Sequence, residues 1–211
     1  MALRSPGTGK TRFVSVGPDD RAHLAVAMAL DAVAVLRDVV ARVIIVCGPL
    51  ELDVARRLGS LGAELRDEPT PPRGLNAALA DGIAALPGDT PTIACVGDLP
   101  SLDADSVRAV LDESRTGPVA VPDADGLGTT MIAGAARLLE PRFGGHSAAR
   151  HRAHGYRLLP GAPERARRDV DDATALLDAV RVGVGPATAR LLSDASWWTQ
   201  QVPAGDPAGT C

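Results

Sequence analysis

The run Val43-Ile44-Ile45-Val46-Cys47, closed by Gly48-Pro49, does most to limit what this chain can fold into. Five consecutive apolar, mostly β-branched residues leave no polar face for water, so the run predicts a strand covered on both sides, as in the middle of a parallel sheet. Helical patterns flank it. Gly17-Pro18-Asp19-Asp20 reads as a turn and helix start, followed by a largely buried Ala/Leu/Val-rich helix over 24–40. The alternation then repeats: helix 50–58, strand 63–66, helix 76–86, strand 92–96, helix 103–114 and strand 119–121. Strands separated by helices imply right-handed crossovers, hence an α/β fold with a mainly parallel sheet between helices.

The chain has 211 residues. At about 100 to 200 residues per domain this predicts one domain, assigned to 1–195, with 196–211 as a disordered Pro/Gly/Ala-rich tail. No internal repeat is visible. From 122 to 163 the pattern loosens, and glycines, prolines, arginines and histidines gather around Phe143, His146, His151 and His154. That segment suits either a substrate-binding insertion or surface loops around a strand at Met131-Ile132. His151 and His154 read as a solvated pair.

Charge and composition exclude several functions. The formal net charge is −4 and aromatics are 2% of residues, so the chain has neither the positive field nor the stacking platforms of a nucleic-acid binder. Cys47, Cys95 and Cys211 lack CxxC spacing, which argues against a zinc site or a disulfide framework. No stretch reaches the roughly 18 apolar residues of a membrane span, and no signal peptide opens the chain. It reads as a soluble, cytoplasmic protein. Every basic residue is arginine except Lys10.

Four constellations carry possible chemistry. In Ser5-Pro6-Gly7-Thr8-Gly9-Lys10-Thr11-Arg12 the Gly-Lys-Thr ending invites a P-loop reading, but Arg4 stands where that motif needs its first glycine, and only Met1-Ala2-Leu3 precede it. Lys10 and Arg12 can still grip a polyphosphate, or belong to a solvated terminus. Asp98, in Gly97-Asp98-Leu99-Pro100, lies beyond the carboxyl end of an interior strand, where open α/β sheets bind ligands and where a magnesium ligand belongs. Asp103 is the better cap for the next helix, which frees Asp98. In Asp169-Val170-Asp171-Asp172 the alternate carboxylates share a side if the piece is extended, and Asp171 or Asp172 can cap the last helix, expected over 172–180. Gly126-Leu127-Gly128-Thr129-Thr130 and Arg142-Phe143-Gly144-Gly145-His146-Ser147 offer backbone amides and the Thr129 and Ser147 hydroxyls to an anion, with Ser147 as the cap of a short helix, or form two ordinary turns. No Ser/His/Asp or Cys/His arrangement is evident.

Together, Lys10-Thr11-Arg12, Asp67-Glu68-Pro69-Thr70 with Leu75-Asn76, Gly97-Asp98-Leu99-Pro100, Gly128-Thr129, Pro141-Arg142-Phe143-Gly144 with Ser147-Ala148-Ala149-Arg150-His151-Arg152, Asp169-Val170-Asp171 and Gly183-Val184-Gly185-Pro186-Ala187-Thr188-Ala189-Arg190 resemble the actinobacterial guanylyltransferases of coenzyme F-420 biosynthesis. That family acts on phosphoenolpyruvate or 2-phospho-L-lactate. The resemblance implies a Rossmann-like nucleotide-diphospho-sugar transferase fold of the glycosyltransferase A type. It implies transfer of GMP from GTP to phosphoenolpyruvate, giving enolpyruvyl-2-diphospho-5'-guanosine and pyrophosphate, with Mg2+, two ions, as cofactor. By the same resemblance Asp98 and Asp169 bind magnesium, with Asp171 in support. Thr129, Gly144 and Ser147 bind the acid, Lys10 and Arg12 the triphosphate, and Asn76 the guanosine. The implied partners are GTP and a small phosphorylated acid, with hand-over of the product to the next transferase of the pathway.

Two departures from the family pattern stand out. A hydrophobic first strand normally leads into the basic loop, and here nearly all of it is expected to be missing, either because the true start lies upstream or because the sheet does without it. A chain so shortened would be a catalytically weak GTP-binding protein. Leu127 and Thr130 stand at positions where family members vary, so the choice between phosphoenolpyruvate and 2-phospho-L-lactate is left open.

Overall fold

The computed structural model describes residues 1–3, 13, 16–68 and 71–199. Lys10 and Arg12, the rest of the glycine-rich run over 5–12 and the tail beyond 199 lie outside the described residues. In chain order the strands are β1 (Ala2–Leu3), β2 (Val43–Cys47), β3 (Ala63–Asp67), β4 (Pro91–Cys95), β5 (Val119–Pro122), β6 (Thr129–Ala135) and β7 (Arg157–Leu158). The helices are α1 (Pro18–Val39), α2 (Leu52–Ser60), α3 (Leu75–Ala84), α4 (Ala104–Glu113), α5 (Ser147–Ala153), α6 (Glu164–Arg167), α7 (Ala173–Val182), α8 (Pro186–Asp194) and α9 (Ser196–Thr199). The run 43–47 is a buried strand between two parallel neighbours, as its composition predicts.

The strands pair in the orders β1-β2-β3 and β4-β6-β5-β7. The first set is parallel and so is β5 with β7, but β6 runs against both β4 and β5. The sequence pattern misses this reversal, and its cause is the length of the connection. Only residues 123–128 separate β5 from β6, whereas a parallel crossover takes about a dozen or more.

Side chains alternate across the strands, so each strand feeds two cores. Ala2, Ile44 and Val46 join Ala94, Ala120 and Ile132 in a cluster with Ala78 and Leu79 of α3. On the other face Leu3, Ile45 and Cys47 join Cys95, Val121 and Met131 against α1 and α4. Both clusters run through both strand sets, which makes them one central layer.

Of the first strand, nearly all of which is expected to be missing, a two-residue piece is present. Ala2 pairs with Val46 and Leu3 with Cys47 in parallel register. The buried Met1 ammonium donates to the Ile44 carbonyl at 2.8 Å, and burial pushes its pKa below the usual amino-terminal value. Beside it, between the early halves of β2 and β4, lies a cavity of about 380 Å³ with Leu36, Val43, Ile44, Leu79, Pro91 and Ile93 in its wall. An extended apolar tetrapeptide joined ahead of Met1 is expected to fill that space, remove the buried charge and raise Tm by roughly 5 °C. An unchanged Tm would show that the cavity does not admit a chain.

Packing continues into the first residues of the stretch 196–211 expected to be a tail. α9 buries Trp198 in a third cluster with Leu24 and Met28 of α1, Val170, and Leu176 of α7. The Gly185-Pro186 turn opens α8, whose first amides are held from α1. The buried Asp31 carboxylate accepts from Ala187 N at 2.9 Å and Thr188 N at 2.8 Å. Among the described residues no helix is long and apolar enough to cross a membrane.

Candidate active site

The carboxyl edge of the strands gathers the acidic residues. After β4, Val96 N donates to Thr130 O at 3.0 Å, and the chain turns through Gly97 and Asp98. The Asp98 carbonyl then accepts from Val170 N at 3.0 Å, which lays 169–171 alongside. Val170 points into the third cluster and is fully buried, so Asp169 and Asp171 flank an anchored residue. The caps fall as the residue types require. Asp103 accepts from Ser106 N at 2.8 Å and Asp172 from Ala175 N at 2.9 Å, each capping the helix that follows it.

Burial pushes the Asp169 carboxyl up to about 7, with Asp98, Asp171 and Asp123 adding their negative fields in that order. Crowded, partly dehydrated carboxylates of this kind suit a cation. Among the described residues no three His, Cys, Asp or Glu side chains are arranged to hold an ion by themselves. A hard cation of the magnesium type takes one or two carboxylates and completes its shell with water and phosphate oxygens, so Asp98 and the neighbouring Asp169 are the residues that could hold one.

Asp123 was not singled out from the sequence. Its carboxylate accepts from Leu127 N at 3.0 Å and Gly128 N at 2.7 Å, folding 123–128 into a closed turn. A Cβ on Gly128 would lie 2.2 Å from the Asp123 Oδ2, so a side chain there would have to displace the carboxylate that holds the turn. Arg167 holds the same turn from outside through the Pro122 and Asp123 carbonyls at 3.1 and 2.8 Å. The signal was the Pro-Asp-Ala-Asp-Gly composition of 122–126, which is that of an Asx turn.

This turn delivers Thr129 to the start of β6, paired with Pro122 of β5. The two threonines then diverge. Thr130 gives its hydroxyl to the Ala166 carbonyl at 2.6 Å, a fold contact, while Thr129 Oγ1 meets His151 Nδ1 at 3.0 Å. His151 is fully buried, so the reading of a solvated pair with His154 does not hold for it. Periodicity cannot show that a short helix turns this residue inward against Phe143 and Tyr156, whose rings meet it edge-on at 5.3 and 5.1 Å.

The loop ahead of α5 completes the site. Ser147 is the first residue of α5 and not its cap, because His146, with φ 54°, occupies the cap position. The Ser147 hydroxyl is buried and has no hydrogen-bond partner among the described residues. Gly144, at φ 116°, accepts from Ser147 N at 3.0 Å. Ala148 N donates to the Leu127 carbonyl at 3.1 Å, which ties α5 to the Thr129 turn. Thr129, Gly144 and Ser147 are thereby brought together. Asn76, expected at the guanosine, clamps this loop through both ends of its amide: Phe143 N donates to Oδ1 at 2.6 Å, and Nδ2 donates to Phe143 O at 3.1 Å.

The chain is similar to known proteins over most of its length. Residues 25–169 match the MobA-like NTP transferase domain. A solved structure from Desulfovibrio desulfuricans G20, assigned to the nucleotide-diphospho-sugar transferases, superposes with a TM-score of 0.65 over 94% of this chain and 90% of its own, at 17% identity, which shows the shared fold. The phosphoenolpyruvate guanylyltransferase of Salinispora arenicola is 41% identical over 203 residues, 93% of each chain. The enzyme of that name from Streptomyces coelicolor is 40% identical over 199 residues, 90% of this chain and 92% of its own. Matches of this extent, on a site whose acidic edge and hydroxyl-bearing loops meet at one end of the sheet, place the chain in the phosphoenolpyruvate guanylyltransferase family, within the MobA-like NTP transferases.

Proposed function

We propose that the protein transfers GMP from GTP to phosphoenolpyruvate in coenzyme F-420 biosynthesis, acting in the cytoplasm and passing its product to the next transferase. The observation that carries the reading is the convergence of an acidic edge, Asp98 with Asp169 and Asp171, and a hydroxyl-bearing loop pair, Thr129 with Gly144 and Ser147, at the carboxyl ends of the strands. Hydroxyls and loop amides suit the phosphate and carboxylate oxygens of the acid. Lys10 and Arg12 are assigned to the triphosphate and Asn76 to the nucleotide side through the loop it clamps.

The chemistry needs no general base. The second phosphate pKa is about 6, so the acid presents a dianionic oxygen at neutral pH. That oxygen attacks the α-phosphorus of GTP, the bond from the α-phosphorus to the α,β-bridging oxygen breaks, and pyrophosphate leaves with the electron pair. The protein's task is alignment and charge neutralisation. Magnesium held by Asp98 and Asp169, with Asp171 in support and two ions in all, would supply that neutralisation at the phosphates.

The test is incubation with GTP, Mg2+ and, separately, phosphoenolpyruvate or 2-phospho-L-lactate, followed by mass spectrometry. The expected product is the enolpyruvyl diphosphate ester of guanosine. GTP binding without product from either acid would identify a binding protein instead, and product from phospholactate alone would reassign the acid.

A further inference from the structure

The Thr129 hydroxyl, assigned to the acid under the proposed function, faces the buried His151 ring. Two observations determine which ring nitrogen carries the proton. Arg142 N, a main-chain amide that can only donate, points at Nε2 from 3.1 Å, so Nε2 presents a lone pair. Burial, with Arg150, Arg142 and His154 nearby, pushes the ring pKa from 6.5 to about 4, against the Ser147 main-chain hydrogen bond, so the ring is neutral under working conditions. A neutral ring has one N–H, which is therefore on Nδ1. That N–H faces Thr129 Oγ1 at 3.0 Å and shares its direction with the Ser147 carbonyl, so toward the ring Thr129 Oγ1 can only accept.

We propose that His151 is a positioning residue for the acid substrate: by donating to Thr129 Oγ1 it leaves the threonine proton free, and so makes this hydroxyl a donor toward an anionic oxygen of phosphoenolpyruvate. Among the described residues Thr129 has no acceptor of its own for that proton. Ser147 lies one turn before His151 on the same face of α5, and its buried hydroxyl likewise lacks a partner. Two directed hydroxyl donors select a fully ionised, acceptor-only oxygen. The opposite tautomer would turn the Thr129 proton back onto the ring and present a lone pair to the substrate anion.

The proposal rests on the reading of phosphoenolpyruvate as the acid, and the experiment separates the two. His151→Asn places an amide N–H near the Nδ1 position and keeps the donor to Thr129, whereas His151→Gln places its amide near Nε2 and loses that donor. Hydrogen bonds to charged groups set the scale, so His151→Gln is expected to raise the KM for phosphoenolpyruvate roughly 10- to 100-fold and leave the KM for GTP within about 2-fold, with His151→Asn recovering most of the loss. Equal effects of both variants, or equal effects on both substrates, would reduce His151 to a packing residue. A wild type inactive with phosphoenolpyruvate overturns the functional reading, whereas an active wild type with an acid KM unmoved in His151→Gln overturns this one. Should either variant fail to fold, 15N spectra of histidine-labelled wild-type protein decide the matter. His151 is expected to show a protonated, pyrrole-type Nδ1 and a pyridine-type Nε2, and the reverse assignment contradicts the proposal.

Discussion

Asp169→Asn is expected to stabilise the metal-free protein while abolishing guanylyl transfer. Burial and the neighbouring Asp98, Asp171 and Asp123 raise this carboxyl to about 7 in the fold, against about 3.9 in an unfolded chain. The folded state therefore binds more protons between those values, so stability is greatest below about pH 4, falls as the pH rises toward 7, and stays reduced above it. An asparagine removes that penalty. Three pKa units at 1.36 kcal/mol each, discounted for relaxation, give about 3 kcal/mol at pH 8, or a Tm gain of roughly 5 to 10 °C with EDTA present. The gain should vanish near pH 4. On the proposed assignment of Asp169 to the magnesium at the phosphates, its loss should lower kcat by about 1000-fold or more, and Asp98→Asn should match it in activity. A variant that is neither more stable nor inactive would remove Asp169 from the site.

Gly185→Ala is expected to be the most damaging small substitution in the described fold. Gly185 has an ordinary φ of −70°, so space and not backbone conformation excludes a side chain. A Cβ there would lie 2.4 Å from Asp31 Cγ and 2.7 Å from its Cβ. Asp31 cannot retreat without releasing the Ala187 and Thr188 amides that begin α8. Overpacking and a lost cap together cost about 3 kcal/mol or more, a Tm fall of roughly 6 to 12 °C. Gly161→Ala, which meets nothing within 4 Å, should fall within about 0.5 kcal/mol of wild type. Activity should fall as well, because Gly185 N donates to Pro100 O at 2.8 Å and Arg165 bridges the Ser101 and Gly183 carbonyls at 3.2 and 3.1 Å, holding the loop after Asp98 from behind. The Gly-Val-Gly-Pro-Ala-Thr run is thus a structural brace for the site.

What was legible in the sequence follows from the range of the forces involved. Strand 43–47, the caps Asp103 and Asp172, and the placement of Asp98 beyond β4 are local matters of burial, turn chemistry and strand ends, and all three follow from short windows. The reversal of β6 did not, because the short connection 123–128 that dictates it emerges only once the ends of β5 and β6 are fixed, and the loosened pattern from 122 onward left those ends undefined. Asp123 escapes a sequence reading because its field on Asp169 acts between segments distant in sequence. The solvated reading of His151 fails, and the role of Asp31 escapes the sequence, for the same reason, since each makes its decisive contacts across the fold.

The central claim, that a phosphate oxygen of the acid attacks the α-phosphorus of GTP at this edge of the sheet, is tested most directly with phosphoenolpyruvate carrying 18O in its non-bridging phosphate oxygens. The account predicts 18O in the new diphosphate bridge of the guanylated product and none in the released pyrophosphate. Release of unlabelled pyrophosphate with GMP and no labelled ester, or label in the pyrophosphate, would contradict it.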